Sequence, residues 1–180
     1  MNSENEKHTL HKEIGSLLQS KISENCELIL DQACGGNQQI PLFSSSEKSS
    51  STELCKVDIL ILKQEQISVI IEIEESGINP TKVCGKFLTS ALASYYIHAT
   101  KPNRSISMAN SVLFVQIVDL GSLPEKSEKR KQFINIEESI RKILPIPGSH
   151  IDKYNLLCTE SSALKKNEAD LLRPILDHLR

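Results

Sequence analysis

The sequence predicts an α/β protein built on a mixed α+β sheet, and three observations carry the prediction. Two runs rich in Ile, Val and Leu, Glu53–Lys63 (ELCKVDILILK) and Ile67–Glu75 (ISVIIEIEE), are separated only by Gln64-Glu65-Gln66, which reads as a hairpin. A helical apolar stripe follows. A third run, Ser111–Leu120 (SVLFVQIVDL), then reads as a buried strand. A hairpin followed by a helix and another strand implies parallel and antiparallel pairing in one sheet, with helices packed on it.

Each element has its own local reason. Leu10, Ile14, Leu17, Leu18 and Ile22 recur at helical spacing, so a helix is expected over residues 8–23. Cys26–Leu30 (CELIL) reads as a short strand, Cys34-Gly35-Gly36-Asn37 breaks the chain, and Ile40–Phe43 reads as a second short extended piece. Ser44–Thr52 (SSSEKSSST) holds seven hydroxyl residues in nine positions; it has no apolar surface to offset its ordering entropy and is expected to be a mobile loop. Asn79 and Pro80 fit the cap and first position of a helix. Val83, Phe87, Leu88, Ala91, Leu92 and Tyr95 extend its stripe over about 80–99. Lys101–Asn110 reads as a polar loop, and Glu125–Leu144 as a charged helix closed by Pro145 and Pro147. Tyr154–Cys158 fits a strand and Glu168–Leu179 a helix interrupted near Pro174. The whole, 1–180, is expected to be a single domain with a core over about 8–120 and a C-terminal extension over 121–180.

Composition narrows the class. With 180 residues, 39% apolar and 24% charged, the chain suits one globular domain and excludes collagen-like, disordered and disulfide-scaffold proteins. The longest apolar runs are broken by Asp58, Lys63 and Glu72, well short of the ~18 residues that span a bilayer. Residues 1–13 lack the apolar core of a signal peptide, so a cytoplasmic protein without membrane partners is expected. The five cysteines are odd in number, and none are spaced as C-x-x-C, which suits reduced thiols rather than a zinc site. No phosphate-cradling loop or serine-hydrolase elbow occurs.

Charge is unevenly spread. The total is −2, but residues 1–100 carry 8 basic and 13 acidic side chains, whereas residues 101–153 carry 9 and 6. The basic stretch includes Lys126, Lys129, Arg130, Lys131, Arg141 and Lys142. It is either a solvated helix face or a surface for a polyanion.

The hairpin concentrates the acids. If its turn centres on Glu65, Asp58 lies opposite Glu72 and Lys56 opposite Glu74. Opposed residues have Cβ atoms about 4.5–5.5 Å apart on one face. Lys56, Asp58, Glu72 and Glu74 then form a charged square at one end of a face whose remainder, Leu60, Leu62 and Ile70, is apolar. Like charges so close repel by about several kcal/mol at intermediate dielectric unless neutralised. A hard divalent cation neutralises them; a solvated sheet end with Lys56 paired to Glu74 is the other reading of the same residues.

These residues resemble the PD-(D/E)XK nuclease superfamily, the restriction-endonuclease-like fold. Asp58 in Lys56-Val57-Asp58 matches the first motif position, and Glu72 in Glu72-Ile73-Glu74 the second. The order of elements from 8 to about 120 is similar to the superfamily's helix–three strands–helix–strand core, which implies helices on both sides of a central mixed sheet. The third motif position departs from the pattern, with Glu74 where Lys is usual. Some restriction endonucleases similarly carry Glu there; alternatively Lys82 or Lys86, one turn apart on the next helix, supplies the ammonium. An acidic residue of the first helix often joins the site in relatives, and Glu13 is the matching candidate, with Glu24 behind it.

The resemblance implies a Mg2+-dependent (or Mn2+-dependent) DNA endonuclease of restriction type, acting as a homodimer if it cuts both strands, with a methyltransferase as a partner in that case. Asp58, Glu72 and Glu13 would hold metal, and Glu74, with Lys86 or Lys82, would serve catalysis. Lys126, Lys129, Arg130 and Lys131, with the Gly35–Thr52 loop, would contact the DNA backbone. The alternative, supported by Glu74, is a catalytically inactive module that keeps the fold for nucleic-acid binding or protein assembly.

Overall fold

The structure is a computed structural model that describes residues 9–98, 104–121, 123–124, 126–160 and 164–180. In chain order its elements are α1 (Thr9–Lys21), β1 (Cys26–Leu30), β2 (Ile40–Phe43), β3 (Glu53–Val57), β4 (Ile59–Lys63), β5 (Gln66–Glu74), α2 (Pro80–Ala91), β6 (Tyr95–Ile97), β7 (Ser105–Asp119), α3 (Glu128–Ile143), β8 (Ile151–Thr159) and α4 (Leu164–Leu179). The strands join in the order β1-β4-β5-β7-β6-β2-β3, with β8 also paired to β7. β1, β4 and β5 run antiparallel, while β5, β7 and β8 run parallel. The α/β class with a mixed sheet flanked by helices therefore holds. None of the helices among the described residues is long and apolar enough to cross a membrane.

Alternation along the strands sorts the core into two layers. On one face Leu60, Leu62, Ile70 and Phe114 pack with Val83 and Phe87 of α2 and Phe133 and Ile140 of α3. On the other, Ile59, Ile61, Val69, Ile71 and Val115 pack with Leu10, Ile14 and Leu18 of α1 and Leu171, Leu172 and Ile175 of α4. Each fully buried Leu or Ile contributes about 1.5–3 kcal/mol, enough to hold four helices on one sheet. α1 also comes in very close: a Cβ on Gly15 would stand 2.1 Å from the Cys34 carbonyl oxygen.

The expected strand Glu53–Lys63 is two strands broken at Asp58. Before the break β3 pairs with β2; after it β4 pairs with β1 and β5. Asp58 makes the switch possible, because its carboxylate Oδ2 takes the Ile73 N–H at 2.7 Å and its carbonyl takes the Asp31 N–H at 2.9 Å. A side chain thus replaces a missing strand partner.

The hairpin turn is two residues, Gln64 and Glu65, both left-handed with φ 52° and 61°. That geometry matches strand twist but sets the register one residue away from the expected one. A bulge in β5, where Ile61 pairs with Val69 and Leu62 with Ile67, takes up Ser68 as the extra residue. Beyond it the pairing returns to Ile59 with Ile71, so Asp58 again arrives beside Glu72. Without the bulge every side chain past it would exchange faces.

Other boundaries moved for local reasons. α2 begins as expected, with Asn79 Oδ1 accepting from the Lys82 N–H at 2.9 Å, but it ends at Ala91 rather than near 99. Tyr95–Ile97 instead forms β6 between β2 and β7, and Tyr96 is fully buried with its hydroxyl donating to Gln38. Leu88 and Leu92, part of the expected apolar stripe, are 50% and 59% exposed. β7 starts at Ser105, inside the expected loop Lys101–Asn110, because Ile106 and Met108 alternate inward against β6; residues 101–103 lie outside the described residues. α3 starts at Glu128 behind a Ser127 cap, and the expected first residue, Glu125, lies outside the described residues. α4 runs through Pro174 without a break, held on the sheet by Leu171, Leu172 and Ile175 on either side of it. Ser44–Thr52 is a loop closed by its own hydroxyls: Thr52 Oγ1 donates to the Glu47 carbonyl at 2.7 Å, and Ser44 N–H to the Thr52 carbonyl at 2.9 Å.

Candidate active site

β5 carries Glu72 and Glu74 on the same face as Ile70, toward α2, at the strand's carboxyl end. The bulge brings Asp58 to Glu72, and α2 lays two lysines across them. Lys86 Nζ is 2.8 Å from Glu72 Oε2, and Lys82 Nζ pairs with Glu74 Oε2. The two lysines are one turn apart on a helix whose Val83 and Phe87 point into the core, so their stems flank that contact and their ammonium groups reach back to the strand.

Burial makes the acids unusual. Glu72 is fully buried and Glu74 is 3% exposed, and among the described residues Oε1 of each has no hydrogen-bond partner. The neighbour that faces Glu72 across the sheet, Gln116 on β7, is already committed: its amide donates to the Val83 carbonyl at 3.3 Å and accepts from the Tyr154 hydroxyl at 2.9 Å. Burial first, then the Asp58 charge, holds the Glu72 carboxyl well above the ordinary glutamate range, against the pull of Lys86. Burial likewise raises Asp58, opposed by the Ile73 N–H, His11 and Lys86. Lys86 loses affinity for its proton through burial but gains more from Glu72, Asp58 and Glu74, so its net shift is upward. Cys34 closes the far side; burial and then Asp31, Asp58 and Glu72 push its thiol far up. It is therefore an inert wall rather than a nucleophile.

The structure gathers Asp58, Glu72, Glu74, Lys82 and Lys86, but not every expected residue. Lys56 does not face Glu74: β3 turns away at Asp58, and Lys56 pairs instead with Pro41 on β2, its ammonium on Gln39 at 2.7 Å. Glu13 is exposed on the other side of α1, near Leu164, Lys165 and Glu168, and Glu24 is exposed in the turn before β1. The residue that α1 does deliver is His11, which is buried, with Nε2 3.8 Å from Asp58 Oδ2 and Nδ1 3.2 Å from Glu75 Oε2. Its signal lay in the helical period: His11, Ile14 and Leu18 follow the 3–4 spacing of the buried face, and Glu13 does not. Glu75 also accepts from the Leu10 N–H, tying the first turn of α1 to the end of β5.

The basic residues near α3 divide. Glu74 is in register with Val118, one residue before β7 ends at Asp119, so the first turn of α3 starts from the same sheet edge as the acids. Lys126 and Lys129 are exposed there, and Lys131 is exposed beside Glu128 at 2.9 Å. Arg130 turns inward. Its guanidinium donates to the Leu120, Leu123 and Pro124 carbonyls and to Glu160 Oε1 at 2.9 Å. Through Nε and Nη2 it is a clamp on the β7–α3 connection. Arg130→Ala is expected to cost about 1–3 kcal/mol in urea unfolding, since it strips several carbonyls of their donor, whereas Lys129→Ala is expected to stay within about 0.5 kcal/mol.

A groove of about 520 Å³, lined by Ser50, Glu53, Leu54, Cys55, Lys56 and Lys86, opens from solvent onto Lys86. Among the described residues, no three His, Cys, Asp or Glu side chains form a ready-made metal cage. The oxygens at hand are those of Asp58 and Glu72, and among the described residues the buried Glu72 Oε1 has no hydrogen-bond partner. Two carboxylates completed by water or phosphate suffice for a Mg2+-like ion. No family model matches the chain, and no curated protein or solved structure is similar to it at a significant level.

Proposed function

We propose that the chain is a divalent-cation-dependent endonuclease of the PD-(D/E)XK type, acting on the phosphodiester bonds of DNA. One observation carries the reading: the half-buried Asp58 and the fully buried Glu72 meet at the carboxyl edge of the sheet, with no hydrogen-bond partner on Glu72 Oε1 among the described residues and an ammonium, Lys86, 2.8 Å from the other oxygen. Element order supports it. With β2, β3 and β6 set aside, α1, β1, β4, β5, α2 and β7 follow the helix–three strands–helix–strand order, with β7 parallel to β5. Ligands of open α/β sheets favour this carboxyl edge.

The residues divide the work as follows. Asp58, held in place by the Ile73 N–H, and Glu72 are the carboxylates that would hold Mg2+ or Mn2+. When bound, the ion supplies positive charge at the scissile phosphate and a water of lowered pKa. Lys86, from α2, would supply the ammonium that the motif lysine gives in the superfamily; it balances Glu72 and would present a cation to a phosphate entering by the groove. Glu74, fixed by Lys82, is a second acid able to orient a water. Lys126, Lys129 and Lys131 offer screened, salt-sensitive contacts to the backbone. A restriction-type role, as a homodimer beside a methyltransferase, is the specific form of this reading.

Purified protein incubated with plasmid and Mg2+ or Mn2+ is expected to nick or linearise it, and Asp58→Ala and Glu72→Ala are expected to lose at least about a hundredfold in rate. Absent cleavage by the parent, or equal cleavage by the variants, sinks the enzymatic reading and favours a silent nucleic-acid-binding or assembly module.

A further inference from the structure

The groove that opens onto Lys86 lies between β3 and α2, and the break at Asp58 is what builds it. β3 ends the strand order and pairs with β2. Cys55 turns to α2, with Sγ 3.6 Å from Oγ of the fully buried Ser90. Side chains alternate along a strand, so the next residue, Lys56, stands outward and exposed in the groove lining. Ser90 and Lys86 are one turn apart on α2, so the contact that holds β3 also sets Lys86 on the facing wall. A straight strand would spend Lys56 on Glu74; the break at Asp58 sends it to the groove instead.

The donors gathered there fit a polyanion. Lys86 lines the groove and reaches Glu72 Oε2 at 2.8 Å. The Lys56 ammonium has three donors, and Gln39 Oε1 takes one of them at 2.7 Å, which fixes its position. The acid of the lining, Glu53, is 3.9 Å away, longer than a hydrogen bond. An exposed pair at that distance holds the ammonium weakly. Donors therefore remain for an incoming oxygen. Ser50, also exposed, adds a hydroxyl to the lining. Lysine ammonium and serine hydroxyl groups are common donors to the phosphate oxygens of a nucleic-acid backbone.

We infer that this groove is the track of a nucleic-acid strand, in which the phosphodiester next to the scissile one lies on Lys56 and Ser50, making Lys56 a substrate-binding residue that takes no part in the chemistry. The place of the scissile phosphate, at Lys86, rests on the nuclease reading given above. The Lys56 contact is to backbone rather than base, so it supports every sequence alike and weakens with salt.

The test uses the full chain and a fluorescent duplex oligonucleotide, first in EDTA and then with Mg2+ or Mn2+. In EDTA, anisotropy titrations between about 50 and 200 mM salt are expected to show Lys56→Gln binding several-fold more weakly than the parent, with a slope of log K against log salt smaller by about 0.9. Lys56→Arg keeps the affinity, and Lys165→Gln, on α4 across the sheet, changes neither quantity. With the metal, Lys56→Gln is expected to lower kcat/KM through KM. Acetylation of the parent, read by mass spectrometry, is expected to slow at Lys56 and Lys86 but not at Lys165 when the oligonucleotide is added, which tests the placement without a variant. Binding by the parent with Lys56→Gln unchanged in affinity and slope, or with Lys56 unprotected, overturns the inference and leaves the nuclease reading standing. So does a fall in kcat at unchanged KM. A parent that binds without cleaving sinks the nuclease reading alone, and the EDTA titrations still decide the groove. A parent that neither binds nor cleaves overturns both.

Discussion

Glu72→Gln is expected to make the protein more stable at pH 8 while removing the proposed divalent-cation site and any cleavage. Glu72 is fully buried, and burial with the Asp58 charge raises its pKa well above the ordinary range. Between the ordinary glutamate value, about 4.3, and that raised value, the folded protein holds a proton that the unfolded chain has released. Stability therefore falls as pH rises through that window. Asp58, raised for the same first reason, adds a slope of the same sign. Glutamine has the shape of the protonated acid, keeps an acceptor for Lys86, and carries no charge to desolvate. Urea unfolding at pH 5 and pH 8 should show the parent losing more stability than the variant over that interval. Adding cation reverses the order: the parent gains about 2.7 kcal/mol at a hundred times Kd, and Glu72→Gln gains nothing. A variant less stable than the parent at pH 8 without cation would mean that the Lys86 pair outweighs the cost of burial.

This opposition of stability and function is what the hairpin already implied on paper. Three acids on an otherwise apolar strand face break the rule that buried strand positions are apolar, and such breaks mark functional or strained sites. The acids, the Asn79-Pro80 start of α2 and the lysines at 82 and 86 were legible because each depends on spacing within one element. What was not legible depends on pairs of elements. Asp58 splits a strand because its side chain caps Ile73, and no periodicity in Glu53–Lys63 reports that. Tyr95–Ile97 leaves α2 because β2 and β7 offer it edges on both sides; the local stripe continued smoothly into it. Arg130 reads as one of four basic residues in a row of charge, and only the path of the β7–α3 connection turns it inward. His11 is the intermediate case. Its place on the buried face was readable, but its meaning required Asp58 and Glu75 to arrive from residues far along the chain.

Lys86→Met is expected to cost about 2–4 kcal/mol at pH 8, and Glu72→Gln in the same chain to return most of it. Removing one partner of a buried pair leaves the other charge uncompensated, which typically costs about 3–5 kcal/mol; Lys86 is 32% exposed, so solvent trims the figure. Methionine keeps most of the apolar stem against Val83 and Phe87, which isolates the charge from the packing. At pH 5 the loss should shrink, because Glu72 without Lys86 simply keeps its proton. A double-mutant cycle with Glu72→Gln, run by urea unfolding at both pH values, separates the pair from its surroundings. The cycle also discriminates between two roles for Lys86. If Lys86 only neutralises Glu72, a bound divalent cation should do that work instead, and Mn2+ should rescue the stability of Lys86→Met and leave cleavage near the parent rate. If Lys86 also meets the substrate phosphate, Mn2+ rescues the fold and not the rate. On the proposed reading the second outcome is expected, since Lys86 both reaches Glu72 Oε2 and lines the open groove with Lys56 and Ser50.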